Sequence, residues 1–264
     1  TPTLIFKAFQ DVQPDLILSV PLIIEKIIRK AVLPKLETPS MKVLLKLPFI
    51  SDRIQARIRQ SLADAFGGRF YEIIIGGAAF NSEIEALLHR IGFNYTVGYG
   101  ATECAPIISS ADWHSYAPGS CGRIVPHMEV KINSEDPENV VGEILVRGAN
   151  VMLGYYKNPE ATAAVIDAEG WYHTGDLGIM DVEGNIYIRG RSKNMLLGSN
   201  GQNIYPEEIE DKLNGLPYVN ECVVIQKDNK LYALVYPDYE DAEKQGMDEA
   251  MLEAQMEENR NKSC

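Results

Sequence analysis

Phe70-Tyr71-Glu72-Ile73-Ile74-Ile75-Gly76-Gly77-Ala78-Ala79 and Tyr95-Thr96-Val97-Gly98-Tyr99-Gly100-Ala101-Thr102-Glu103 each begin as an apolar run and close on glycine. The runs are too short for helices and rich in β-branched and aromatic residues, so each predicts a buried strand ending in a turn. Between them, Asn81-Ser82 followed by Ile84, Leu87 and Leu88 predicts a capped helix with one apolar face. Strand, helix, strand in this order predicts a mostly parallel sheet, and such sheets bind ligands beyond the carboxyl ends of their strands. Both glycine turns fall at that edge.

Upstream, residues 15–20 form another short apolar run, closed by Pro21, and Leu22 to Val32 continues with helical spacing. Ser51-Asp52 is an N-cap signal, and Ile54, Ile58, Leu62, Ala65 and Phe66 recur at helical steps until Gly67-Gly68. Downstream, from about Gly119 to Arg189, short alternating segments (129–132, 142–146 and 185–188) predict an antiparallel sheet or small barrel. After Arg191 come a polar glycine loop, a helix opened by Pro206 and strands at 222–226 and 231–236. Residues 238–258, dense in carboxylates with Met247, Met251 and Met256 among them, read as a solvated helix or frayed end. The expected fold class is α/β. Residues 1–118 are expected to be part of a large α/β N-terminal domain, 119–190 its antiparallel β subdomain, and 191–264 an incomplete α+β C-terminal domain.

The chain has 264 residues, 45% of them apolar, which suffices for a buried core. A formal charge of −12 gives no basic field for a nucleic acid or an anionic membrane surface. The four cysteines, at 104, 121, 222 and 264, have no metal-ligand spacing and read as reduced cytosolic thiols. No apolar run approaches the roughly 20 residues that span a bilayer, and no signal-peptide layout opens the chain. A cytoplasmic protein is expected, with membrane association at most peripheral and no oligomeric state implied. The chain opens Thr1-Pro2, so it is not expected to begin where translation began.

Glycines let a planar ligand approach the backbone, Tyr99 offers a ring for stacking, Thr102 a hydroxyl for a phosphoryl oxygen, and Glu103 a hard carboxylate for magnesium. In Gly170-Trp171-Tyr172-His173-Thr174-Gly175-Asp176-Leu177-Gly178, an acid in a tight polar turn could accept both hydroxyls of a ribose. In Gly190-Arg191-Ser192-Lys193-Asn194, Arg191 could meet a phosphate or ribose, and Lys193 could move with a hinge. Taken singly, each has a plain reading as a turn glycine, a surface carboxylate, an Asp stabilising its own turn, or an exposed basic turn.

Together, and in this order, these elements resemble the adenylate-forming superfamily of acyl-CoA synthetases, luciferases and peptide-synthetase adenylation domains. Gly76-Gly77-Ala78-Ala79 resembles its adenine-binding turn, Tyr99 to Glu103 its aromatic-Gly-x-Thr-Glu motif, and Gly142 to Tyr155 its Gly-Glu…Arg-Gly segment. Trp171 to Gly178 resembles its Thr-Gly-Asp motif and Gly190 to Lys193 its interdomain hinge. The resemblance implies that Gly76 to Ala79, Tyr99 and Gly100 hold adenine, that Thr102 touches the α-phosphate and that Glu103 binds Mg2+. Asp176 and Arg191 would hold the ribose, and Lys193 would be the hinge residue.

The implied reaction joins a carboxylate to AMP from ATP and then passes the acyl group to coenzyme A. The implied partners are thus small molecules: ATP, CoA and an acid. The Leu33 to Ile50 stretch and Thr102-Glu103-Cys104-Ala105-Pro106 resemble bacterial long-chain fatty-acyl members, which implies a fatty acid. An aryl, amino or short-chain acid would use the same nucleotide motifs, and a non-catalytic adenylate-binding module would keep the fold. Nothing before residue 76 resembles the family's phosphate loop, and Lys262 lacks the motif around its catalytic lysine. Residues 1–264 alone are therefore expected to form no acyl-AMP, and its detection in a hydroxamate trap would refute this. Ala79 stands where many relatives carry proline, and Asn194 where an acid is common.

Overall fold

The computed structural model describes residues 2–31, 52–198 and 201–263. The Leu33 to Ile50 stretch, Ser51 and residues 199–200 of the glycine loop, on which parts of the sequence reading rest, lie outside them. The chain divides into two compact units: Thr1–Thr174 with Gly178–Ile188, and Gly175–Leu177 with Arg189–Cys264.

The first unit opens with α1 (Pro2–Val12), β1 (Leu16–Ser19) and α2 (Pro21–Ala31), followed by α3 (Asp52–Ala65), β2 (Glu72–Ile75), α4 (Ser82–Arg90) and β3 (Tyr95–Val97). The strands form a parallel sheet in the order β1-β2-β3, with Ile17 opposite Ile73 and Ile75 opposite Val97. Both faces of β2 are covered, which is why its sequence runs apolar rather than alternating. Ile58, Leu62 and Ala65 put one side of α3 into the core, where Phe66 packs with Phe9, Phe70 and Phe93 at tilted or edge-on angles. Gly67, at φ +91°, ends that helix beneath Phe9, whose carbonyl oxygen a Cβ there would meet at 2.4 Å. Asn81 caps α4 by accepting from the Ile84 N–H at 3.1 Å, as the sequence signals.

Antiparallel pairing begins at Tyr99. β4 (Tyr99–Gly100) turns back through a single 3₁₀ turn, Thr102–Cys104, into β5 (Ile107–Ser110), which pairs with β6 (Arg123–Ile124). The reversal is local: Ala105 takes a left-handed φ of +56° and the Ala101 N–H donates to the Pro106 carbonyl at 2.8 Å. Next come β7 (Met128–Asn133), β8 (Gly142–Gly148), the short helix α5 (Pro159–Ala163), β9 (Tyr172–Met180) and β10 (Ile186–Arg191). The four strands form one sheet in the order β10-β9-β8-β7. Ile144, Val146 and Ile186, all fully buried, centre its core. The fold is α/β, with a parallel sheet and an antiparallel β region in the first unit.

The second unit carries β11 (Leu196–Leu197), β12 (Asn203–Ile204), α6 (Pro206–Asn214), β13 (Val219–Lys227), β14 (Lys230–Pro237), α7 (Tyr239–Lys244) and α8 (Glu249–Ser263). β13 and β14 form an antiparallel hairpin, and α6 opens on Pro206 at its first turn. The acidic segment is two helices rather than a frayed end. Leu252 of α8 is buried, and the Asn259 amide donates to the Pro217 carbonyl at 2.8 Å. Among the described residues no helix is long and apolar enough to cross a membrane.

Candidate active site

The two glycine turns end neighbouring parallel strands and touch. The Gly76 N–H donates to Ser19 O at 3.1 Å and the Gly98 N–H to Ile75 O at 2.8 Å. A Cβ on Gly76 would lie 3.3 Å from the Gly98 carbonyl oxygen, so the close approach of the two turns favours glycine there. Gly77, Ala78 and Ala79 are exposed beyond this junction, with Gly77 at φ +89°.

Gly100 fits for a similar reason, since a Cβ there would stand 2.1 Å from the Pro106 carbonyl oxygen. The Tyr99 ring, expected to offer a stacking face, is only 8% exposed and packs in the cluster with Cys104, Ile108 and Met128. It is a wall of the site more than an open platform, because the reversal at 101–106 folds apolar residues over it.

Thr102 and Glu103 occupy the 3₁₀ turn. Thr102 is exposed, and among the described residues its hydroxyl makes no protein hydrogen bond. Glu103 is half-buried, and its Oε1 accepts from the Tyr155 hydroxyl at 2.9 Å. That contact, followed by burial and the Glu103 charge, holds the Tyr155 phenol above its ordinary range. The turn's backbone is gripped from the segment after β8. The Met152 N–H donates to Glu103 O at 2.7 Å, and the Asn150 amide donates to Cys104 O at 2.8 Å and Ile107 O at 3.0 Å. Sequence reading assigned nothing to Asn150 or Tyr155, although both lie in the segment it singled out. The contacts bridge 46 and 52 residues, beyond any local pattern.

No group of three or more His, Cys, Asp or Glu side chains capable of caging a metal is found among the described residues. A single carboxylate with one oxygen anchored and one without a protein partner suits Mg2+, which keeps several waters and is completed by substrate phosphates. The residues therefore fit a magnesium ion shared with a nucleotide.

Behind β3, Glu85 of α4 is 7% exposed and collects three neighbours. Its Oε1 lies 2.5 Å from the Tyr116 hydroxyl and accepts the Gly119 N–H at 3.0 Å, while its backbone oxygen accepts from the Tyr95 hydroxyl at 3.3 Å. Burial first, and then the Glu85 charge, pushes both phenols far up, so they remain neutral donors.

Next to Glu103, Cys104 is fully buried, and burial followed by the Glu103 charge raises its thiol to about 11. A raised folded-state value means the native fold holds that proton more tightly than the unfolded chain. The associated stability is thus complete below the ordinary value of 9.0 and is lost as pH rises from there towards about 11. Cys104 is expected to resist iodoacetamide at pH 8 in the native state and to react in urea, as peptide mass spectrometry would record. Native alkylation at pH 8 would contradict this burial.

The remaining expected residues lie in the second unit. Asp176 is not in a tight polar turn: it sits within the nine-residue strand β9 and is 6% exposed. The glycines that suggested a turn serve the strand instead. Gly175 takes φ +72°, and Gly178 passes so close to its neighbour that a Cβ would meet Tyr187 O at 2.5 Å. Arg191, largely exposed, places Nε 3.1 Å from Asp176 Oδ1, so two residues expected to act side by side form an ion pair. Lys193 is exposed in the turn after β10, where Asn194 and Met195 donate their N–H groups to Arg191 O, and Asn194 reaches Glu207 at 2.7 Å.

The family model described as AMP-binding enzyme matches residues 1–156. A long-chain-fatty-acid–CoA ligase of Escherichia coli O157:H7 is 46% identical over 136 residues, covering 48% of this chain and 23% of that protein. An indoleacetate–CoA ligase of Aromatoleum aromaticum is 36% identical over 197 residues, covering 72% of this chain and 38% of its own length. The chain thus spans well under half of these relatives. Among solved structures, an anthranilate CoA ligase in complex with anthranoyl-AMP superimposes with a TM-score of 0.70 at 21% identity, over 97% of this chain and 45% of that one. An O-succinylbenzoate coenzyme A synthetase of Bacillus subtilis in complex with AMP superimposes at 0.66 and 23% identity, over 94% and 48%.

Proposed function

Because the chain belongs to the AMP-binding enzyme family, we propose that the full-length protein is an AMP-forming ligase that activates a long-chain fatty acid with ATP and transfers it to coenzyme A. The observation that carries the reading is the 3₁₀ turn at the carboxyl edge of the parallel sheet, which presents a free Thr102 hydroxyl beside an anchored Glu103 carboxylate. In the first half-reaction an oxygen of the fatty acid carboxylate attacks the α-phosphorus of ATP, and the bond to pyrophosphate breaks. In the second, the thiol of coenzyme A attacks the acyl carbonyl, loses its proton, and AMP leaves.

Gly76 to Ala79 and Gly98 to Gly100 form the floor against which adenine lies, with Tyr99 as its buried wall. Thr102 donates to an α-phosphate oxygen, and Glu103 holds Mg2+. When bound, the ion offsets charge developing on the phosphates. Asp176 and Arg191 hold the ribose, with Arg191 orienting the carboxylate through the 3.1 Å contact, and Lys193 is the hinge residue. Residues 1–118, 119–190 and 191–264 are the corresponding subdomains, and the cytoplasm is the proposed compartment.

The fatty-acid assignment is supported by the 46% identity to a long-chain-fatty-acid–CoA ligase, whereas the longer match to an indoleacetate–CoA ligase favours an aromatic acid. ATP–pyrophosphate exchange by the full-length protein, with palmitate, acetate, benzoate, indoleacetate and amino acids supplied in turn, separates them. Palmitate is expected to stimulate exchange most. Stimulation by an aromatic acid alone would overturn the substrate, and none by any acid would overturn the ligase.

A further inference from the structure

We infer that Tyr155 is a positioning residue for Glu103, fixing the carboxylate that binds the divalent cation; this rests on the proposed role of Glu103. The backbone of the 3₁₀ turn is already held by Met152 and Asn150. Those bonds leave the Glu103 side chain free to rotate about three bonds. Among the described residues the only hydrogen bond to its carboxylate is from the Tyr155 hydroxyl, at 2.9 Å. By occupying Oε1, that donor aims Oε2 outward and prevents the carboxylate from swinging away while the site is empty.

Tyr155 is itself built into place. Its N–H donates to Thr162 Oγ1 at 2.9 Å, and the Thr162 hydroxyl donates to Asn158 O at 2.9 Å. Asn158 caps α5 through the Ala161 N–H, so the anchor is the first turn of a helix. Gly154, at φ +147°, lets the chain pass Thr162 where a Cβ would come within 2.8 Å of its methyl. The buried Tyr172 hydroxyl also bonds the Tyr155 oxygen, which opposes the upward push from Glu103. The hydroxyl of Tyr155 thus links Tyr172 to Glu103, and such relays polarise one another. A ring that served packing alone would need no hydroxyl here.

The test compares wild type, Tyr155→Phe and Glu103→Ala in the full-length protein. Partners that orient a metal ligand typically contribute about 10- to 100-fold in metal affinity. Tyr155→Phe is therefore expected to raise the Mg2+ concentration for half-maximal exchange by roughly 10-fold or more. The KM for the acid and the thermal midpoint should stay at wild-type values. Independently of turnover, Mn2+ binding to the complex with a non-hydrolysable ATP analogue, read from free Mn2+ by paramagnetic resonance, should weaken by a similar factor. Unchanged metal dependence in both measurements would overturn the inference. So would a general loss in which metal affinity and the thermal midpoint fall and the KM for the acid rises together. If Glu103→Ala abolishes exchange while Tyr155→Phe behaves as wild type, the ligase reading stands and this inference fails. If wild type gives no exchange, the ligase reading fails and the Mn2+ measurement still decides the role of Tyr155.

Discussion

Glu103→Ala in the full-length protein is expected to lower acid-dependent ATP–pyrophosphate exchange by roughly 100- to 1000-fold, the usual loss when one preorganised charge-stabilising group is removed. Stability should barely respond. Glu103 is half-buried and its side chain makes one protein hydrogen bond, so truncation frees a half-buried Tyr155 hydroxyl that water can reach. The expected cost is about 1 kcal/mol or less. The separation matters more than either number: a large kinetic loss at an unchanged urea midpoint identifies a residue acting on phosphate chemistry. Exchange retained within about ten-fold of wild type would remove Glu103 from the mechanism, and with it the metal site.

Glu85→Ala is expected to have the reverse profile, destabilising the fold first. It deprives the buried Tyr116 hydroxyl of one partner and the Gly119 N–H of its acceptor. The Tyr116 hydroxyl keeps the Ser120 carbonyl as acceptor at 2.9 Å and Gly119 is exposed, so the expected loss is that of one hydrogen bond to a charged group, about 2 kcal/mol. For a chain of this size that corresponds to a fall in Tm of roughly 4–8 °C. Glu85→Gln, which retains an acceptor oxygen, should lose much less. The Tyr95 hydroxyl on β3 bonds the backbone oxygen of Glu85, which Glu85→Ala retains, so nucleotide affinity is expected to hold while stability falls. Calorimetry and AMP titration on the same samples test this separation. A stability change under about 1 kcal/mol would mean that water substitutes for the carboxylate.

The parallel sheet was legible because β2 and β3 are short β-branched or aromatic runs with glycine at their ends, and the Asn81 cap announces α4 at the right residue. β9 was not, since Gly175 and Gly178 carry the chemistry of a turn. In the structure they are places where a strand twists and presses against its neighbour, which only the packing reveals. Thr102 and Glu103 could be picked out by residue type, but not that they ride on one turn clamped by residues dozens of positions downstream. Tyr99 misled in the opposite direction: an aromatic beside glycines suggests an open ring, whereas Ile108 and Met128 cover it. Asp176 and Arg191 were each legible as polar residues in glycine-rich settings, and their pairing was visible only once β9 and β10 lay in one sheet.

The contact between the Gly76 and Gly98 turns has a consequence for how such a site can diversify. At this junction the backbones themselves are in van der Waals range, so a side chain added to Gly76 fits only if the Gly98 carbonyl gives by a few tenths of an ångström. Gly77, a single step outward, has room for a Cβ but holds φ +89°, which glycine takes without strain and other residues do not, whereas Ala78 and Ala79 are exposed. The strand ends thus form a tight seam with a permissive lip. In a saturation library, Gly76 and Gly77 should tolerate few variants while the lip drifts, so innovation at this edge is channelled into Ala78 and Ala79.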